Sequence, residues 1–173
     1  QYQYLAGDIL PEEGLDYLQD HLRILSGFYG ILRPFDGIIP YRLELKTQMT
    51  GFKYYSLYNF WKDLPYQELF DDTDTVINLA SLEYSRLISP YLKNNQKMIT
   101  IKFLENKNGK WRQSATHAKM ARGEMVRFAA KEGINRPEDL KEFSDFGYVF
   151  SAADSSNENY IFANCNNKLN TFS

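Results

Sequence analysis

Between Met98 and Lys131 the chain changes its apolar rhythm, and that change limits the folds open to it. Met98-Ile99-Thr100-Ile101-Lys102-Phe103-Leu104 is rich in β-branched and aromatic residues and predicts a strand. Asn106-Lys107-Asn108-Gly109-Lys110 follows. Asn-Gly suits a tight hairpin turn, so Trp111 to Thr116 is predicted to pair back. From Ala118 to Lys131 the period is helical: at about 100° per residue, Ala118, Ala121, Met125, Phe128 and Ala129 fall on one arc. Strand, hairpin and helix in direct succession predict an α+β fold, with a mixed sheet flanked by helices in one compact domain.

The remaining segments fit that expectation. Pro11-Glu12-Glu13-Gly14 opens a helix in which Leu15, Leu18, Leu22 and Leu25 recur, ending near Ser26-Gly27. Tyr41 to Lys46 alternates and predicts a strand. Ser56 to Phe70 predicts a helix broken at Pro65. Thr75 to Ala80 predicts a short strand, and Ser81 caps a helix running to about Ile88. Asn135 is expected to cap a short helix at Pro137–Leu140. Tyr148–Phe150 and Tyr160–Ala163 read as closing strands.

At 173 residues, a single domain over 1–163 is the expectation, with 164–173 as a polar, flexible tail. The 13 Tyr and 12 Phe supply large side chains for a core. No apolar run approaches the ~20 residues of a membrane span. The single cysteine, Cys165, excludes an internal disulfide and a multi-cysteine zinc site, and its place in the polar tail reads as incidental. No Walker loop, dinucleotide fingerprint or zinc motif occurs. Neither a catalytic residue nor a metal or cofactor site is predicted, and a non-enzymatic protein is the favoured reading.

Charge is distributed unevenly. The whole chain carries a net charge of -2, yet residues 97–131 hold nine Lys/Arg against Glu105 and Glu124. An acidic protein with one basic block is not an indiscriminate nucleic-acid coat, but a local phosphate-facing patch fits it. Lys119, Arg122, Arg127 and Lys131 lie outside the apolar arc of their helix. Lys107, Lys110 and Arg112 on the preceding hairpin extend the basic surface, with Trp111 interleaved. The plain alternative is a solvated face.

Two further groups each carry a functional and a structural reading. Gly27 and Gly30, three apart between helix-like segments, suit backbone N–H groups turned toward a phosphate, as in helix-hairpin-helix DNA binders. They equally suit a tight connector with aromatic plugs. Arg33, Asp36, Tyr41, Arg42 and Glu44, with Asn78 and Glu83, suit either a small anionic ligand or an ion-pair network, the network being favoured. No nucleophile–base pair is recognisable; Ser81 lacks a Gly-x-Ser-x-Gly setting and reads as a helix cap.

Taken together, these segments resemble one family. Leu25-Ser-Gly-Phe-Tyr-Gly-Ile-Leu-Arg-Pro-Phe-Asp-Gly-Ile-Ile-Pro-Tyr-Arg-Leu-Glu-Leu45 is similar to the signature of the YaaA peroxide-stress family. Leu57–Trp61, Asn78–Tyr84, Lys119–Gly123, Pro137–Phe143, Gly147–Phe150 and Ser156–Glu158 follow in matching order. The family is longer at its N-terminus, so a chain lacking that part is expected. The resemblance implies a cantaloupe fold with a helix-hairpin-helix element and binding of double-stranded DNA through a basic cleft. It also implies a cytoplasmic role in hydrogen-peroxide stress that limits iron-linked damage. An enzyme acting on a small anionic ligand through the Arg/Asp/Glu/Asn group is the alternative. Iron held by carboxylates ranks last, because no ligand spacing stands out.

Overall fold

A computed structural model describes residues 10–51 and 53–164. The chain divides into two compact units: residues 18–98, and residues 1–17 with 99–173. The expected tail beyond Asn164, with Cys165, lies outside the described residues. Asn164 itself is buried and closes a strand. Among the described residues no helix is long and apolar enough to cross a membrane.

Helix α1 (Glu12–His21) leads into the first unit. It stops four residues before Leu25, the last residue of its leucine pattern, because Arg23 Nη1 donates to the carbonyls of Gln19, Asp20 and Leu22 and closes the helix end. The next residues form an antiparallel hairpin, β1 (Ile24–Ser26) and β2 (Gly30–Leu32), with Ser26 opposite Gly30. The flanks of Gly27–Gly30 are therefore strands, where the spacing predicted helix-like segments. Residues 41–44 form no ladder, contrary to the predicted strand, and Leu45 is fully buried. Helices α2 (Leu57–Trp61) and α3 (Leu64–Leu69) follow. The break falls at Lys62, whose φ is 50°, rather than at Pro65. Pro65 sits in the first turn of α3, where its missing N–H leaves no bond unmade. The core of this unit joins Leu45, Leu57, Tyr66, Phe70, Leu87 and Ile88.

Strand β3 (Thr75–Asn78) and helix α4 (Leu82–Ser85) complete the first unit. Ser81 stands at the N-cap of α4, without a side-chain cap bond; a turn over 86–88 replaces its predicted continuation to Ile88, and a short 3-10 segment (Ser89–Tyr91) follows. Strand β4 (Lys97–Lys107) opens with the Lys97 N–H donating to the Asp74 carbonyl (2.8 Å).

The second unit is built on β4. A two-residue turn at Asn108-Gly109, both at positive φ, returns the chain as β5 (Lys110–Arg112). Strand β5 is shorter than predicted because Ser114 already caps helix α5 (Ala115–Glu132), its Oγ accepting from the His117 N–H. Gly133, left-handed, ends α5. A 3-10 turn (Pro137–Glu142) takes the place of the predicted short helix; Arg136, not Asn135, is its cap residue. Asn135 instead donates to the Gly133 carbonyl. Strands β6 (Val149–Phe150) and β7 (Asn159–Asn164) finish the five-stranded sheet, in the order β3-β4-β7-β6 with β5 on β4. Because β7 runs parallel to β4 and antiparallel to β6, the sheet is mixed. Ile99, Ile101 and Phe103 alternate inward along β4, and Phe103 meets Phe143, Tyr148 and Phe162 in an aromatic core.

Candidate nucleic-acid interface

The β4–β5 hairpin carries the basic residues out of the sheet. Register places Lys107 opposite Lys110, Asn106 opposite Trp111 and Glu105 opposite Arg112. Asn106 Oδ1 accepts from the Gly109 N–H (2.9 Å), which holds the turn closed. Lys110, Trp111 and Arg112 are all exposed, Trp111 at 43%. Two lysines directly across a ladder repel each other, and a bound polyanion would relieve that repulsion.

Not every cation is available. Lys107 Nζ lies 3.6 Å from Glu105, and Arg127 is paired with Glu124 one turn earlier on α5. Among the described residues Lys110, Arg112 and Lys119 make no ion pair. Arg122, expected on the solvated face of α5, is buried. The helix enters the core over Ala121–Met125, so that turn has no solvent side.

Beneath the hairpin base lies a polar centre that the sequence reading missed. Glu105 occupies the inward position after Ile101 and Phe103 and is 7% exposed. It accepts from the Tyr148 hydroxyl (2.8 Å) and pairs with His117 Nδ1 (2.6 Å). Burial alone would raise the Glu105 pKa, but the hydrogen bonds from Tyr148 and His117 and the charges of His117 and Lys107 outweigh it and hold the carboxyl below its ordinary value. An ionised carboxylate only accepts, so His117 Nδ1 carries the proton. Burial, then the bond to Glu105 and its charge, push the Tyr148 hydroxyl well up. The available signal was a carboxylate at a core position of an otherwise apolar alternation.

The first-unit residues make the following contacts. The Phe28 and Tyr29 N–H groups both donate to Ser26 Oγ (3.2 and 2.9 Å), so these two donors of the turn between Gly27 and Gly30 are taken within it. A Cβ on Gly27 would come 2.8 Å from the Leu43 carbonyl oxygen, and one on Gly30 2.9 Å from the Trp61 ring. Packing accounts for both glycines, as in the tight connector with aromatic plugs. Tyr41 stacks near Phe28 and Tyr29, and its hydroxyl bonds Ser26 Oγ. The Arg33 N–H donates to Asp36 Oδ2 (2.8 Å) in an exposed turn. Arg42 and Glu44 stand 4.0 Å apart with side chains 93% and 67% exposed, a surface pair of little energetic weight. Asn78 Oδ1 accepts from the Ala80 N–H, while Glu83 reaches Lys46 through its N–H and its Nζ. Arg33 and Asp36 make a local turn and Arg42–Glu44 a surface pair, whereas Tyr41, Glu44 and Glu83 all act on Tyr84, whose pKa is raised by burial first and then by these groups. Among the described residues no three His, Cys, Asp or Glu side chains gather as a metal site.

Residues 1–154 match the family described as "Peroxide stress protein YaaA". A UPF0246 protein of Lactobacillus johnsonii is 96% identical over 94% of this chain and 64% of its own length. Relatives of the same description from Lactobacillus helveticus and Agathobacter rectalis are 57% and 45% identical, over 94% and 93% of this chain and 64% and 65% of theirs. The chain thus spans just under two thirds of the length of these curated relatives.

Proposed function

Since the chain belongs to the YaaA family of peroxide stress proteins, we propose that it binds double-stranded DNA without sequence preference through its basic surface. In this reading it acts in the cytoplasm and limits iron-linked peroxide damage. The observation that carries the DNA reading is the exposed hairpin Lys110-Trp111-Arg112 with Lys119 beyond it. These three cations make no ion pair among the described residues, and the Trp111 side chain is open to solvent. Contacts of this kind neutralise phosphates and position the protein on the duplex without reading bases. The Gly27–Gly30 turn is not used to support it, because the Phe28 and Tyr29 N–H groups are taken by Ser26 Oγ.

The test is a duplex titration at several salt concentrations. With about three phosphates neutralised by these cations, log K falls against log salt with a slope of about -3. Binding that is absent at low salt, or independent of salt, refutes the proposal. The alternative of an enzyme using Arg33, Asp36, Arg42, Glu44, Asn78 and Glu83 is not favoured: Arg33, Asp36, Arg42 and Glu44 are exposed, although Tyr41, Glu44 and Glu83 all act on Tyr84.

A further inference from the structure

Arg122 is 8% exposed, and its Nε has no hydrogen-bond partner. Among the described residues no carboxylate pairs with its guanidinium; Glu124, two residues on, pairs with Arg127 instead. Its neighbours on α5, Ala121, Gly123 and Met125, are buried and offer no charge. Burial pulls the arginine pKa down, with no counter-charge acting against it. Arginine stays protonated all the same, so α5 holds a cation inside the unit with a donor unused. An uncompensated buried charge destabilises a fold, and residues kept in that condition mark places where something binds. Lys119 stands three residues earlier, on the same side of the helix, exposed and without an ion pair among the described residues.

We propose that Arg122 and Lys119 form a binding site for the phosphate group of a small molecule. The guanidinium is planar and presents Nε–H and Nη–H in a fork that takes two oxygens of one oxyanion side by side. Lys119 supplies a second positive charge, which matches a phosphate dianion better than a singly charged carboxylate. Nε is closed to solvent in this structure, so binding requires the side chains over it to move aside, an opening that admits a small molecule and not a duplex backbone. The site shares only Lys119 with the proposed DNA surface, and its test contains no DNA.

Thermal unfolding of the full chain is compared in sodium phosphate, sodium acetate and sodium chloride at one pH and ionic strength. Phosphate at tenfold excess over its Kd raises Tm by about 3 °C above chloride. Acetate raises it less, Arg122→Met abolishes the phosphate shift and Lys119→Met reduces it. Where Arg122→Met does not fold, the Arg122 Nε–H resonance of the unmodified chain decides, and it moves as phosphate is added. Equal Tm in phosphate and chloride, an undiminished shift in Arg122→Met, an unmoved Nε–H resonance, or an acetate shift as large as that of phosphate overturns the proposal.

Discussion

Glu105 shows how one residue's surroundings set its state. It sits where β4 requires an apolar side chain, and it stays ionised because Tyr148 and His117 donate to it. In the unfolded chain its carboxyl titrates near 4.5, and in the fold below that. As pH falls through this window the unfolded state takes up a proton first. The stabilisation is therefore complete above the unfolded value and disappears as pH drops through the folded one. Tyr148→Phe removes a hydrogen bond to a charged group, and we expect a loss of about 1.5–3 kcal/mol at pH 7. The loss shrinks once the carboxyl is protonated. Urea unfolding of both proteins at pH 7 and at successively lower pH checks this; a difference that never shrinks as pH falls contradicts the assignment.

The two hairpins use glycine for different reasons. Gly109 needs only its positive φ of 76°, with open space where a Cβ would stand. Gly30 has a φ of 77° and the Trp61 ring 2.9 Å from that position. Trp61 cannot withdraw freely, because its Nε1 donates to the Gly27 carbonyl (2.9 Å). We therefore expect Gly109→Ala to cost about 1 kcal/mol, from backbone strain alone. Gly30→Ala should cost about 2–4 kcal/mol, strain and overpacking together. Denaturation midpoints of the two variants test the order, and equal midpoints would remove the packing argument. The Asn-Gly turn was legible in the sequence because the signal is local. The helix predicted through Leu25 was not, since strand pairing across Gly27–Gly30 overrides the leucine spacing.

For the whole molecule, the uneven charge supplies the next prediction. Lys110 lies on the hairpin opposite Lys107, while Arg112 stands across the ladder from Glu105, so neutral replacements are used to avoid setting a like charge against that carboxylate. Lys110→Gln with Arg112→Gln should weaken duplex binding and reduce the salt slope by about 2, with an unchanged melt. Binding assays and circular dichroism, run together, separate this from unfolding. An unchanged slope would place the duplex elsewhere.

Composition and local pattern determined the α+β class, the β4–β5 turn, the long helix α5 and the basic block. Each depends on residues close in sequence. Family membership was legible in the ordered motifs, above all in Leu25–Leu45. Only the tertiary structure decided which cations remain exposed. The helical arc of α5 placed Arg122 outside, but the packing of Ala121–Met125 surrounds that turn completely. It also brought Glu105 to His117 and Tyr148, 12 and 43 residues away. Residues far apart in sequence meet through chain folding, and periodicity carries no record of which side chains will be buried together.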